Sequence, residues 1–210
     1  MESKKANFRE CFRPSDRTVS CDPGPLMELI RGIEEKQAGT DRLLVTLDGP
    51  CASGKTTLAN RLAAVLAAAV VHTDHFVIPH AQKTAERLAI PGGNCDAGRL
   101  VEEVVAPWKR GEPVKYRKYD WTLDCLLPAE TLPSGCRVLI VEGSYCNLPQ
   151  IRSYADIRLF MQTPEEVRFA RLRKRESPAS LKRFYERWIP LENAYFEAYG
   201  LPDENCLIVQ

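Results

Sequence analysis

The stretch Gly49-Pro50-Cys51-Ala52-Ser53-Gly54-Lys55-Thr56-Thr57 matches G-x-x-x-x-G-K-[ST] at every fixed position. The chemistry of such a loop is phosphate binding. Gly49 and Gly54 let the backbone curl so that successive N–H groups point inward at phosphate oxygens. A helix beginning near Lys55 adds the partial positive charge of its N-terminus. Lys55 can reach the β- and γ-phosphates of a nucleoside triphosphate, and the Thr56 hydroxyl can help hold Mg²⁺. Gly49, Cys51, Ala52, Ser53, Gly54, Lys55, Thr56 and Thr57 are therefore the candidate nucleotide-binding residues, with ATP or GTP and Mg²⁺ as the implied ligands. A chance glycine-rich turn would carry the same letters. Here an apolar strand-like run ends at Asp48 and an Ala- and Leu-rich helical run follows, which is the context the motif needs.

A loop that holds a triphosphate becomes catalytic when a second group faces its terminal phosphate. Asp74, in Val71-His72-Thr73-Asp74-His75-Phe76, follows a second strand-like run. At the carboxyl end of a parallel strand its side chain faces the crevice that the phosphate loop also faces, where a carboxylate can accept the proton of an attacking hydroxyl. The bland alternative is an Asp that caps a turn. Glu142 ends the apolar run Val138 to Val141, placed to bind Mg²⁺ or substrate. Arg168, Arg171 and Arg175 repeat at i, i+3 and i+7, with Arg173 and Lys174 between them. Charge runs are usually a solvated face, but in this context the spacing also suits a lid over residues 168–180 that closes on phosphates. Lys55, Asp74, Arg171 and Arg175 are the candidate catalytic set, and Thr56 and Glu142 the candidate Mg²⁺ ligands. The guanine-reading Asn-Lys-x-Asp motif of GTPases is absent, and 210 residues are too few for a large motor ATPase. A small-metabolite kinase fits what remains.

Other constellations carry less. His72, His75 and His80 beside Asp74 suggest a metal cluster, but on a strand His72 and Asp74 would share one face with His75 on the other, so a histidine lining the acceptor pocket is the better reading. Cys51 lies beside Lys55 near a helix N-terminus, a setting that lowers a thiol pKa, but a cysteine that merely fills a small-residue slot is the better reading. Trp108, Trp121 and Trp188 read as packing residues, with Trp121 a candidate to stack on an aromatic acceptor.

The elements that must position these groups alternate. A helix is expected from Pro25 to Gln37, a strand from Leu43 to Leu47, a helix from Thr56 to Ala68 and a strand from Val70 to Thr73. Ala97 to Val105 reads as a helix that Pro107 ends or kinks, and Tyr116 to Leu123 as a hairpin strand. Val138 to Val141 and Ile157 to Met161 read as buried strands. Helices follow from Pro164 to Arg175 and from Pro178 to Tyr199, and Leu207 to Val209 reads as a last strand. Strands alternating with helices predict an α/β domain with a mainly parallel sheet. Residues 1–24 read as a polar tail, and 25–210 as a single domain.

The net charge of +1 gives no global field toward nucleic acid or an acidic membrane. The polar start shows no signal peptide, and the most apolar stretch is too short to span a bilayer. The eight cysteines form no Cys-x-x-Cys pair, which suits free thiols in a cytoplasmic chain. Homo-oligomerisation is left open.

Taken in order, the phosphate loop, Thr73-Asp74-His75-Phe76, Asn94-Cys95-Asp96, Tyr116-Arg117-Lys118-Tyr119-Asp120-Trp121, Val141-Glu142-Gly143-Ser144-Tyr145 and the arginine helix resemble the uridine kinase branch of the phosphoribulokinase/uridine kinase family. The resemblance runs from about Asp41 to Tyr199. It implies a P-loop NTPase fold with a five-stranded parallel sheet, flanking helices, a lid and a β-hairpin. It further implies Asp74 as general base, Asp96 on sugar hydroxyls, Tyr119 near the base of the acceptor, and Glu142 near Mg²⁺ or the acceptor. Arg171 and Arg175 would be lid residues. The substrates implied are a nucleoside triphosphate and a small hydroxyl-bearing metabolite such as uridine. Two departures leave the acceptor open. Asp124 stands where nucleoside kinases of the family commonly have a base-reading His, and Phe76 is followed by Val77. A kinase for another sugar, vitamin or cofactor precursor, or a nucleotide-binding regulator without transfer activity, remain the alternatives.

Overall fold

The computed structural model describes residues 18–210. Its centre is a parallel sheet of six strands in the order β1-β10-β9-β2-β8-β3. These are β1 (Thr18–Val19), β2 (Leu43–Asp48), β3 (Ala69–His72), β8 (Val138–Glu142), β9 (Ile157–Met161) and β10 (Leu207–Val209). The central strands β2 and β8 are buried at every position because helices cover both faces of the sheet. Alternate residues feed two cores. Leu43, Val45, Leu47, Val138 and Ile140 pack toward α1 (Pro23–Ala38) and α2 (Lys55–Leu66). Leu44, Leu139 and Val141 pack toward the opposite layer, which includes Leu100, Val104 and Trp108.

Register decides what meets at the carboxyl edge of the sheet. Leu47 and His72 both lie opposite Glu142, one on each side of β8. The turn leaving β2, the acid ending β8 and the turn leaving β3 are thereby set side by side, where ligands bind in open α/β sheets.

The sheet has six strands where five were expected. The sixth, β1, lies in the stretch read as tail and pairs with β10 through Thr18–Ile208 and Val19–Val209. A strand of two residues is too short to leave a period in the sequence. The rest of that stretch, residues 1–17, lies outside the described residues. Short elements between the main ones were also not anticipated: α3 (Ala85–Ala89), α6 (Pro149–Arg152) and a 3₁₀ turn at His80–Gln82.

Neither internal proline stops its helix. The run from α4 (Ala97–Leu100) passes through a π turn at Val101–Val105 into α5 (Ala106–Lys109), so Pro107 is carried inside it. The run from α8 (Pro178–Arg183) does the same through a π turn at Phe184–Trp188 into α9 (Ile189–Ala198), which carries Pro190. A proline has no N–H to give and its ring crowds the carbonyl four residues back. A wider turn just before it relieves both problems.

The Tyr116 region is a double ribbon. β4 (Lys115–Tyr116) pairs antiparallel with β7 (Glu130–Thr131), and β5 (Tyr119–Asp120) with β6 (Cys125–Leu126). Asp124 takes a positive φ of 50° at the turn, a conformation that Asp tolerates better than most residues. The arginine helix, α7, spans Glu165–Arg175.

Candidate active site

The loop between β2 and α2 has the curled backbone its sequence predicts. Gly49 and Gly54 have φ of 138° and 109°, and Ala52 sits at 58°. A Cβ on Gly49 would fall 2.4 Å from the Met161 carbonyl oxygen, so both conformation and space demand glycine there. Gly54 caps α2, whose first residue is Lys55.

The loop's outward carbonyls are taken up by neighbouring elements. Arg171 Nη1 donates to the oxygens of Ala52 at 3.1 Å and Ser53 at 2.9 Å. Arg168 Nη1 reaches Cys51 O at 3.3 Å, and Thr163 Oγ1 reaches Ser53 O at 2.8 Å. Lys55 Nζ donates to Gly49 O and Pro50 O at 2.7 and 2.8 Å. With carbonyls held outward, the N–H groups from Gly54 to Thr57 at the start of α2 are left for an anion. Beside the loop lies a cavity of about 480 Å³. Ser53, Gly54, Lys55, Thr56 and Thr57 line it together with Arg171 and Arg175. Arg168 departs from the expected lid face: it is buried against the loop rather than presented to the cavity.

Behind the loop is a buried polar cluster that no motif announced. Asp48 accepts from Gly49 N at 2.7 Å, Asn147 N at 3.0 Å and Tyr195 Oη at 2.7 Å. Burial raises its pKa to about 6 against the pull of these hydrogen bonds and of Lys55. Glu192, from α9, accepts from Cys51 N at 2.9 Å and Ser144 Oγ at 2.5 Å. Asp48 is visible in the sequence as the residue that ends β2. Glu192 stands alone on a distant helix, with no local spacing to single it out.

Facing the loop, β3 gives way at His72 to a 3₁₀ turn, Thr73–Phe76, that carries Asp74. Asp74 is exposed to solvent, with protein walls close around it. Burial in those walls raises its pKa; Lys55 and His72 oppose the rise, and Glu142 and Glu192 reinforce it. Asp74 is thus within electrostatic reach of the loop lysine and of both neighbouring carboxylates.

Glu142 is buried and joins three parts of the site. Its Oε1 accepts from Thr56 Oγ1 at 2.9 Å and is hydrogen-bonded to His72 Nδ1. That hydrogen bond is the main reason the His72 pKa is raised. A hydroxyl and a carboxylate together at the mouth of a phosphate loop form a hard-oxygen donor set of the kind Mg²⁺ takes alongside phosphate oxygens. Among the described residues no group of three or more His, Cys, Asp or Glu could hold a metal by itself.

One expectation is corrected here. His72 and His75 do not point apart: the strand ends before the alternation reaches His75, and the turn brings the rings edge to face at 5.1 Å. Burial and His72 push the His75 pKa down to about 4. Cys51 is not an activated thiol. It is buried, and burial together with Glu192 pushes its pKa up to about 12 despite Lys55. Every cysteine among the described residues is free.

The acceptor-side residues are less gathered. Asp96 caps α4, accepting from Arg99 N at 3.1 Å, with Arg99 Nε 3.6 Å from its other oxygen. Tyr119 is buried and its hydroxyl donates to Asp124 Oδ1 at 2.5 Å; burial and this bond push its pKa to about 12. Asp124 also accepts from His80 N at 2.8 Å, pinning the ribbon to the loop after β3. Trp121 meets Trp188 edge to face at 5.7 Å, so the ribbon touches the helix that follows the arginine helix.

Comparison with known proteins agrees with this geometry. Residues 44–178 match the model of the phosphoribulokinase / uridine kinase family. No curated protein sequence matches. A structure described as a possible uridine kinase from Bacillus stearothermophilus is 22% identical, with a TM-score of 0.64 over 87% of this chain and 99% of that one. A protein from Silicibacter sp. TM1040, provisionally assigned as a fructose transport system kinase, is 27% identical, with a TM-score of 0.68 over 88% and 98% of the two chains. A Saccharomyces cerevisiae protein provisionally assigned as a circularly permuted P-loop kinase is 11% identical, with a TM-score of 0.62 over 88% and 99%. Among the described residues no helix is long and apolar enough to cross a membrane.

Proposed function

The chain belongs to the phosphoribulokinase/uridine kinase family, and from that premise we propose that it transfers the γ-phosphoryl group of ATP or GTP to a hydroxyl of a nucleoside such as uridine or of a related small metabolite. The observation that carries this reading is the shared edge of the sheet. The phosphate loop, Glu142 and the Asp74 turn leave adjacent parallel strands in register, and Asp74 interacts electrostatically with Lys55.

In this reading the amides from Gly54 to Thr57 cradle the phosphates and Lys55 turns from the loop carbonyls to the β- and γ-oxygens. Thr56 and Glu142 would hold Mg²⁺, which when bound neutralises charge on those oxygens. The acceptor oxygen attacks the γ-phosphorus in line, the bond to the nucleoside diphosphate breaks, and the hydroxyl proton passes to Asp74. Arg171 and Arg175, at the cavity wall, offset the charge that spreads over the moving group. The raised pKa of Asp74 brings a carboxylate closer to the operating pH of a proton acceptor. Asp96 and Tyr119 would flank the acceptor.

A sugar acceptor without a pyrimidine is the second reading. It is favoured by Asp124, whose carboxylate is committed to Tyr119 and His80, and by the provisional assignment of the Silicibacter relative. Both readings are tested by incubating the protein with Mg²⁺ and ATP or GTP against a panel of nucleosides, free sugars and small alcohols, following nucleoside diphosphate release and phosphorylated product. Acceptor-dependent release is expected. Tight nucleotide binding with no phosphorylated product in any arm would instead favour a regulator without transfer activity.

A further inference from the structure

We propose that Glu192 is a positioning residue that fixes the phosphate loop against the turn carrying Asp74; the proposal rests on the kinase reading above. Glu192 is only 6% exposed. A carboxylate at that depth is costly unless its hydrogen bonds are made. It makes them to two separate parts of the site. Oε2 accepts from the Cys51 amide at 2.9 Å, which directs that N–H toward α9. Oε1 accepts from Ser144 Oγ at 2.5 Å. The Ser144 carbonyl in turn accepts from Thr73 Oγ1 at 2.9 Å, and Thr73 is the residue before Asp74. A short chain of contacts therefore runs from the phosphate loop through Glu192, Ser144 and Thr73 to the proposed base.

The chain has little slack. Gly143, between Glu142 and Ser144, has φ of 127°, and a Cβ there would fall 2.1 Å from Thr73 Oγ1. One turn beyond Glu192, Tyr195 donates to Asp48, so α9 is tied both to the loop and to the strand beneath it. The same helical run leads back through Trp188 to α8, which follows the arginine helix. Phosphoryl transfer depends on in-line aim, and a displacement of about 1 Å can cost on the order of 100-fold in rate. A residue that sets the separation of donor loop and base therefore acts on the chemical step without touching either substrate.

The chemistry of the contact predicts which replacements work. In Glu192→Gln the amide oxygen can still accept from Cys51 N, while Nε2 donates to Ser144 Oγ. The Ser144 hydroxyl would then donate to Gly49 O, already 3.2 Å away. Glu192→Ala removes both contacts, and Glu192→Asp withdraws the carboxylate by one methylene.

The test compares these variants by steady-state kinetics, by direct titration of Mg²⁺-nucleotide affinity, and by amide hydrogen exchange at Cys51. In Glu192→Ala, kcat should fall by about 100-fold while nucleotide Kd changes less than about threefold, and the Cys51 amide should lose protection. Glu192→Gln should keep the protection and stay within about threefold of the parent kcat. Should Glu192→Ala fail to fold, Ser144→Ala cuts one link alone and should lower kcat by about tenfold. A folded Glu192→Ala or Ser144→Ala protein with the parent kcat would overturn the proposal. So would a Glu192→Gln protein as slow as Glu192→Ala with its Cys51 amide still protected. If the parent binds nucleotide but phosphorylates nothing, the kinase reading fails instead, and the exchange comparison still decides whether Glu192 holds the loop.

Discussion

The two walls of the cleft are built differently. On the donor wall the loop's carbonyls are held by Lys55, Arg168, Arg171 and Thr163, and the Cys51 amide by Glu192. On the acceptor wall the candidate binding residues spend their groups on local structure. Asp96 caps a helix, and Tyr119 is tied to Asp124. The donor wall is a fixed cradle for a ligand common to many enzymes. The acceptor wall is a ribbon and a turn joined by a few side chains, and a change of one residue can alter what it admits.

If that contrast is right, damage to the donor wall should slow transfer to every acceptor alike. The largest effect is expected for Lys55→Ala, with kcat down by roughly 10³-fold for each acceptor tested; a loss confined to one acceptor would break the contrast. Next comes the foundation of the loop. The Asp48 pKa of about 6 lies above its unfolded value, so its stabilising contribution is present below pH 4 and lost as pH rises through 6. Between those pH values the parent should lose up to roughly 3 kcal/mol relative to Asp48→Asn, measured by denaturant unfolding of both at each pH. Parallel pH profiles would mean that Asp48 titrates normally.

Glu142→Gln should raise the Mg²⁺ concentration needed for half-maximal rate by about 10- to 100-fold, with the acceptor KM little changed; the reverse pattern would move Glu142 to the acceptor side. The smallest effect sharpens the other half of the comparison. Tyr119→Phe, which frees Asp124, should change acceptor KM by up to about tenfold and leave nucleotide affinity intact. A matching loss of nucleotide affinity would mean the walls are not independent.

The same contrast explains what the sequence made legible. The loop could be read because its backbone requires Gly49 and Gly54, and its chemistry requires Lys55 and Thr56. The central strands could be read because burial on both faces leaves continuous apolar runs such as Leu43-Leu44-Val45 and Val138-Leu139-Ile140-Val141. β1 was missed because two residues carry no period, and its pairing partner lies far along the chain. The prolines at 107 and 190 were read as breakers or passed over because a π turn is invisible to a 3.6-residue pattern. Glu192 and Tyr195 were silent because their function is tertiary: only the folded chain brings α9 against the loop. Cys51 was read as a filler of a small-residue slot despite its place beside Lys55, and burial and Glu192 do hold its thiol protonated.

The most direct measurement compares Asp74→Asn with the parent protein, using the best acceptor from the panel in single-turnover transfer alongside nucleotide titration. The account predicts a rate lower by roughly 10²- to 10⁴-fold with nucleotide affinity essentially unchanged. An Asp74→Asn protein that transfers phosphate at the parent rate would contradict it.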